Sequence, residues 1–93
     1  MADRVADIEQ ARDAIAREAW AEAYELLHAF EPSDLAARDL EDLAEAAWWR
    51  SEIEEAIATR QRAYSAYVTG GDDPQAGYMA VRLCIEHLER DRP

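Results

Sequence analysis

The stretch AEAAWWRSEIEEAI, residues 44–57, combines two adjacent tryptophans with alanines and acidic residues. Alanines and large apolar residues recur at spacings of three and four on both sides of a polar break at residues 50–52, which predicts two helices joined by a short turn. Adjacent side chains on a helix point about 100° apart, so Trp48 and Trp49 cannot both enter one core. One of them is covered by another segment or exposed to a partner.

The same periodicity extends over the rest of the chain and predicts an all-α protein. It is interrupted only by FEPSDL (30–35) and TGGDDPQ (69–75), whose proline and glycine are typical of loops. No segment alternates as a strand would. The five predicted helices cover residues 3–17, 20–30, 34–50, 53–69 and 74–90. We expect Ser33 to cap the third, Gly70 and Gly71 to end the fourth, and Asp73 to cap the fifth.

Composition limits the classes of partner. The chain has 93 residues, enough for a single domain over residues 1–93, and its ten basic residues face 21 acidic ones, for a net charge of −11. That sign argues against direct binding of nucleic acid or an anionic membrane surface. The chain contains no apolar run of membrane-spanning length, no apolar signal-peptide core at its start and a single cysteine. We expect a cytoplasmic protein, since one cysteine suits a reducing compartment.

Superposing the chain on itself reveals a repeat of 33 residues. Small residues recur in register where one helix must approach another closely, and a large apolar residue follows them. The aligned sets are Ala11, Ala44 and Gly77; Ala14, Ala47 and Ala80; and Ile15, Trp48 and Val81. WAEA at residues 20–23 likewise precedes IEEA at residues 53–56 by 33 residues.

A bulky residue followed by Glu-Ala at the start of the second helix of each pair resembles the tetratricopeptide repeat. The resemblance implies a right-handed stack of antiparallel helix pairs, with repeats at about 4–36 and 37–69 and one further helix at about 74–90. The sequence departs from the family pattern at several positions: Ala11 and Ala44 replace glycine, Glu18 and Ser51 occupy the turns, and Leu35 and Val68 replace proline.

The longer stretch AEAAWWRSEIEEAIATRQRAYSAYVTGGD, residues 44–72, is similar to the helical repeat region of bacterial LuxR-type transcription factors and cyclase-like signalling proteins. This resemblance implies a protein–protein interaction module of a bacterial regulator, with a separate domain for DNA binding or chemistry. The chain would then be an N-terminal fragment of such a regulator or a short stand-alone relative.

The two tryptophans receive different roles in such a stack. Trp48 shares its register with Ile15 and Val81, so we expect it to pack between repeats, whereas Trp49 lies one step round the helix, toward the concave groove. There it is either partly covered by a neighbouring helix or a contact for a partner peptide. The predicted groove combines acids, arginines and aromatic residues, which suits a peptide of basic and apolar character. Its members are Arg12, Arg38, Glu41, Glu45, Trp49, Tyr78 and Arg82.

The last helix carries apolar residues on more than one side, whereas the terminal helix of a helical stack normally turns a polar face outward. We expect it to be covered, either by a following helix of a longer parent or by a second copy of the chain in a homodimer. The residues of this predicted interface are Met79, Leu83, Ile85 and Leu88.

No residue constellation in the sequence indicates catalysis, a metal or a cofactor. Cys84 and His87 have metal-ligand spacing, but two ligands do not make a zinc site, and a small thiol beside a surface imidazole explains the pair. The serines lack a neighbouring base and orienting acid. The acidic runs DLED (39–42) and EIEE (52–55) are typical of solvated helix faces. We therefore expect a protein that is not an enzyme.

Three functions stay open at this point. A peptide-binding module predicts an open groove with Trp49 exposed, and a sensor of a small signalling ligand predicts an enclosed apolar pocket. A structural spacer or dimerisation unit predicts neither feature.

Overall fold

The computed structural model describes residues 4–92 and places them in five α-helices, with no strand in that range. The all-α prediction is confirmed. The elements are α1 (Arg4–Ala16), α2 (Trp20–His28), a 3₁₀ turn (Pro32–Asp34), α3 (Ala37–Trp49), α4 (Ile53–Thr69) and α5 (Asp73–Arg90). Residue 3, which the sequence places in the first helix, lies outside the described residues.

Each helix packs on the next along the chain, and α1 also packs on α3. Their contact surfaces are unusually rich in alanine, which lets two backbones approach closely. Larger side chains from α2 and α3 fill the space between them. The fully buried alanines are Ala11, Ala14, Ala23, Ala44, Ala46, Ala47, Ala56 and Ala63, and the larger core residues include Tyr24, Leu27, Leu40, Leu43 and Met79. None of the described helices combines the length and apolar composition that crossing a lipid bilayer requires.

Three helices end in the same left-handed backbone conformation. The φ angle is +58° at Glu18 after α1, +63° at Ser51 after α3 and +79° at Gly71 after α4. At each end the following residue donates its N–H to the carbonyl five residues earlier, in the bonds Ala19 to Ala14 (2.8 Å), Glu52 to Ala47 (2.9 Å) and Asp72 to Tyr67 (2.9 Å). This is the bonding pattern of a Schellman helix end. The first two ends are 33 residues apart, as the sequence register predicts.

The 33-residue register is wrong for α5. Ala11 and Ala44 are fully buried, but Gly77 is exposed, and a Cβ placed on it would meet no atom within 4 Å. Ala76 and Met79 are buried instead. The buried face of α5 therefore lies one residue earlier than a uniform repeat predicts. The connections explain why, since residues 29–36 with their 3₁₀ turn separate α2 from α3, whereas only residues 70–72 separate α4 from α5.

Two predicted helix caps are also corrected. Ser33 lies in the 3₁₀ turn, and α3 begins only at Ala37, because the backbone at residues 35 and 36 is extended. Asp72 rather than Asp73 caps α5, with its side chain accepting a hydrogen bond from the Gln75 N–H at 3.2 Å. Gly71 ends α4 as predicted.

Candidate protein-binding surface

Trp49, the last residue of α3, is exposed but held in place. Its side chain is 59% exposed, while Trp48 beside it is partly buried and packs against the core. The Trp49 indole N–H donates to Oε1 of Glu45 at 3.2 Å. Its ring stacks on the ring of Trp20 at the start of α2, with centroids 6.0 Å apart and planes 15° apart. The two adjacent tryptophans thus point in different directions, as the sequence predicts. Of the two possibilities that the sequence leaves open for Trp49, the structure shows an exposed ring that is stacked on Trp20.

Glu45 connects Trp49 to α5. Its Oε2 accepts a hydrogen bond from the Arg60 guanidinium at 3.0 Å and forms an ion pair with the Arg82 guanidinium, also at 3.0 Å. Arg82 in turn donates to the hydroxyl of Tyr78 at 3.4 Å. The structure therefore brings four of the seven predicted groove residues together. We call the exposed face formed by Trp49, Glu45, Arg82 and Tyr78 the Trp49 surface.

A buried ion-pair network lies beneath this surface. Arg60 donates through Nε and Nη2 to Oε1 and Oε2 of Glu86 at 3.2 and 2.7 Å, and both side chains are 1% exposed. With Glu45 and Arg82 they form two positive and two negative groups, which join α3, α4 and α5. Burial raises the pKa of the Glu45 carboxyl, but the hydrogen bond from Arg60 and the charge of Arg82 outweigh it and leave that pKa below its usual value.

This network was missed in the sequence analysis, which placed neither Arg60 nor Glu86 in the core. One signal could have found it. Arg60 lies four residues after Ala56 and three before Ala63, and Glu86 lies three after Leu83, so both charges occupy the helical spacing of core positions. A charge in a core stripe requires a buried partner.

The remaining predicted groove residues lie nearer the start of α3. Arg12 makes a bidentate ion pair with Asp39, with nitrogen–oxygen distances of 2.9 and 3.0 Å, which ties α1 to α3. Arg38 is exposed and has no ion pair within 4 Å among residues 4–92. These two arginines therefore belong to a different part of the molecule from Trp49.

Glu41 is also occupied by contacts within the chain. It accepts hydrogen bonds from the Tyr67 hydroxyl at 2.7 Å and from the Gln75 side chain at 2.9 Å. Burial and the hydrogen bond to Glu41 raise the pKa of Tyr67 well above its usual value. Glu41 thus joins α3 to α4 and α5 rather than offering a free carboxylate.

Two acidic runs that the sequence assigns to solvated faces contain structural carboxylates. Asp39 is buried against Arg12. Glu55 accepts from the Tyr24 hydroxyl at 2.6 Å and contacts Nδ1 of His28 at 2.7 Å. The hydrogen bond to Glu55, with burial, raises the pKa of Tyr24 to about 12. The assignment of Asp39 and Glu55 to solvated helix faces is therefore wrong.

The predicted interface on α5 needs one correction. Met79 is fully buried in the core, so it cannot belong to an exposed interface, and Leu83 is partly buried. Ile85 and Leu88 are exposed in the single chain, so they stay available for an interface. The uncharged residues exposed on the outer side of α5, which we call the outer strip, are Pro74, Gly77, Tyr78, Val81, Cys84, Ile85 and Leu88.

A second concave feature lies between the 3₁₀ turn and α4. It is an open groove of about 600 Å³ with a floor that includes the buried side chains of Leu35 and Leu40. Its lining contains no acidic residue, although the chain has 21. The lining residues are Pro32, Ser33, Leu35, Leu40, Ala58, Gln61, Arg62, Ser65 and Ala66.

Within residues 4–92, no three His, Cys, Asp or Glu side chains are grouped so that they could hold a metal ion. Comparisons with protein-family models, curated proteins and solved structures found no match. The surfaces of the chain itself therefore provide the evidence for its function.

Proposed function

We propose that this chain is a non-enzymatic protein-interaction module that binds a peptide segment of a partner at the Trp49 surface. One observation carries the proposal: an indole that is more than half exposed is nevertheless held by Glu45 and stacked on Trp20. Tryptophan is enriched among the residues that dominate binding energy at protein interfaces. A side chain already fixed in the free protein loses less entropy on binding.

The charge of the chain defines the partner. At a net charge of −11, the protein attracts a cationic segment over the range of the Debye length. The ion-paired state of Glu45 and Arg82 leaves the indole as the main free contact at short range. We therefore expect a peptide with an apolar or aromatic anchor next to arginine or lysine.

The tetratricopeptide-like reading supports the same class of function. The matching helix ends after Ala14 and Ala47 and the shared burial of Ala11 and Ala44 support the 33-residue repeat for the first two helix pairs. The proposal includes a right-handed stack of antiparallel helix pairs. It also includes that the chain is part of a bacterial regulatory or signalling protein.

The test is a selection of peptides from a random displayed library on the immobilised protein. Selected peptides are then synthesised and titrated against wild type, Trp49→Ala and the control Tyr64→Ala, which removes an exposed aromatic residue from α4. We expect basic and apolar sequences, with binding at least about tenfold weaker for Trp49→Ala and unchanged for Tyr64→Ala. Peptides that bind all three proteins equally would refute the proposal.

The groove beside α4 favours a second candidate function, the binding of a small apolar carboxylate. Of the ten arginines, Arg38 and Arg62 have neither an ion pair nor an aromatic ring contact within residues 4–92, and Arg62 lines this groove. A free guanidinium beside an apolar floor and two serine hydroxyls matches such a ligand.

Octanoate is a suitable probe of this second function. We expect it to shift the backbone amide resonances of Ser33 and Ser65 in wild type and not in Arg62→Gln. Octanol, which lacks the carboxylate, is the matched control. Equal shifts with octanoate and octanol would exclude recognition by Arg62.

A further inference from the structure

The outer strip lies on the side of α5 opposite its core-facing residues. The core-facing residues are Ala76, Met79, Leu83 and Glu86. Since successive residues of a helix are rotated by about 100° about its axis, the centre of the outer strip is about 170° from the centre of these core-facing residues. From Pro74 to Leu88, no exposed residue of α5 is charged, in a chain in which 33% of residues are charged. The large side chains Tyr78, Val81, Ile85 and Leu88 are 46% to 66% exposed. A helix that is apolar on two opposite sides is normally covered on both.

The spacing within the outer strip is symmetric about Leu83. Tyr78, Val81, Ile85 and Leu88 are separated by three, four and three residues, which is the spacing of an interhelical seam. When the helix is turned end to end about Leu83, Val81 exchanges with Ile85 and Tyr78 exchanges with Leu88. Two antiparallel copies would therefore place a large apolar side chain opposite a large apolar side chain at every position of the seam.

The charges at the two ends of α5 complement each other in the same arrangement. Asp73 lies in the first turn, and Arg92 follows the last turn, where it contacts Glu89 of its own chain at 3.0 Å but keeps most of its side chain exposed. An antiparallel pair places Asp73 of each copy beside Arg92 of the other. A parallel pair would instead place Asp73 beside Asp73 and Arg92 beside Arg92.

We propose that the outer strip pairs with the outer strip of a second copy of this chain in an antiparallel two-fold dimer. The two-fold axis crosses α5 at the level of Leu83, whose own side chain faces the core. The surface differs from the Trp49 surface and shares only Tyr78 with it, so the dimer does not depend on peptide binding there. Small residues on one flank of the outer strip, Gly77 and Cys84, allow the two helices to approach closely.

The dimer should be weak and strengthened by salt. The outer strip offers roughly 500 Å² per copy, which is near the lower limit for a specific interface. Two chains that each carry a charge of −11 repel one another, and salt screens this repulsion without weakening apolar contacts. We expect a dissociation constant on the order of 100 μM that falls as salt is added.

Sedimentation velocity over about 1 μM to about 1 mM protein, at low and high salt, measures this equilibrium. Ile85→Glu should abolish the dimer. The control Val5→Glu also replaces an exposed apolar residue with glutamate, but on α1, and it should leave the dimer intact. Adding Val81→Arg to Ile85→Glu should restore dimerisation, because an antiparallel pair places position 81 opposite position 85. Circular dichroism checks that each variant keeps its helices.

Cys84 supplies a second readout that needs no substitution. It is the one cysteine of the chain and lies one residue from the centre of the proposed pair, on its flank. A short bismaleimide should therefore join two wild-type copies, and Ile85→Glu should prevent that product. A chain that stays monomeric at about 1 mM in high salt would overturn the proposal. So would a dimer that Ile85→Glu leaves intact, or one that the double variant fails to restore.

Discussion

The guanidinium of Arg60 and the carboxylate of Glu86 form a bidentate ion pair that is almost completely removed from solvent. The pair joins α4 to α5, and Glu45 and Arg82 extend it toward α3. Burying two charges is costly, and the hydrogen bonds that Arg60 donates to Glu86 and Glu45 offset that cost. Among the described residues, no buried side-chain nitrogen or oxygen lacks a partner.

Replacing Arg60 with Met should therefore destabilise the protein strongly. Glu86 would keep only Arg82, at 3.6 Å, and we expect a loss of about 3–5 kcal/mol in the free energy of unfolding. Urea unfolding measures it. The double variant Arg60→Met/Glu86→Leu should be less destabilised than Arg60→Met, since it leaves no orphaned carboxylate on α5. A double variant that is less stable than the single one would contradict this account.

Asp42 should make stability depend on pH. Burial, with a contribution from the neighbouring charge of Glu41, raises the pKa of Asp42 from 3.8 to about 6, although Arg38 and Arg12 oppose the shift. A carboxyl whose pKa is raised on folding stabilises the protein below the unfolded pKa, and that contribution is lost as pH rises through about 6. At pH 7 the charged Asp42 is therefore unfavourable.

The variant Asp42→Asn removes this titration. Allowing for partial exposure of the side chain, we expect it to be more stable than wild type by about 1–2 kcal/mol at pH 7. The difference should disappear near pH 4, where Asp42 is protonated in the folded protein. Urea unfolding of both proteins at the two pH values measures it, and a difference that is independent of pH would count against the shifted pKa.

Glu55→Gln should lower the pKa of Tyr24. The carboxylate of Glu55 accepts a hydrogen bond from the Tyr24 hydroxyl and so opposes its ionisation, which, with burial, raises the pKa of Tyr24 to about 12. An amide in its place carries no charge, so tyrosinate absorbance should develop at lower pH. Tyr24→Phe identifies which step of the titration belongs to this residue. A Tyr24 step at the same pH in wild type and Glu55→Gln would exclude the hydrogen bond as its cause.

Substitutions at Ser51 and Gly71 should have opposite effects on stability. Both residues have positive φ, which costs a side-chain-bearing residue about 1 kcal/mol relative to glycine. Ser51→Gly should therefore stabilise by about 0.5–1 kcal/mol and Gly71→Ala should destabilise by a similar amount. A Cβ at Gly71 would meet no atom within 4 Å, so crowding cannot explain the loss. Thermal unfolding of both variants checks the two signs together.

Trp49→Phe should remove the most solvent-exposed part of the tryptophan emission. Trp20 and Trp48 are partly buried, whereas Trp49 is mostly exposed. We expect a blue shift of the spectrum and weaker quenching by acrylamide, which is uncharged and so unaffected by the charge of the protein. Trp48→Phe is the matched control and should increase the quenchable fraction instead. Identical quenching in the two variants would show that the indoles share one environment.

Periodicity alone predicted the helical class, the breaks between helices and the different directions in which the two adjacent tryptophan side chains point. These features depend on local spacing, because side chains three or four residues apart share a face. The left-handed end at Ser51 also lies where the 33-residue register placed a turn. Such local properties can be read from a single chain.

The ion pairs could not be predicted in the same way. Arg60 meets Glu86 across 26 residues, and Arg12 meets Asp39 across 27, so each partner depends on how helices pack. The exposed position of Gly77 was also missed, since an α4–α5 connection of residues 70–72 displaces the buried face of α5. Such long-range properties depend on tertiary geometry that a one-dimensional pattern does not contain.

The packing of α1 has a consequence for local opening. This helix buries only Ala11 and Ala14 completely, and it contacts α2 and α3 but does not reach the ion-pair network. Its detachment would break the Arg12–Asp39 ion pair and the packing of Ile8 and Ile15 against the core, but would leave α3, α4 and α5 joined. Amide hydrogens of α1 should therefore exchange with deuterium through a partial opening well before those around Arg60, which require global unfolding.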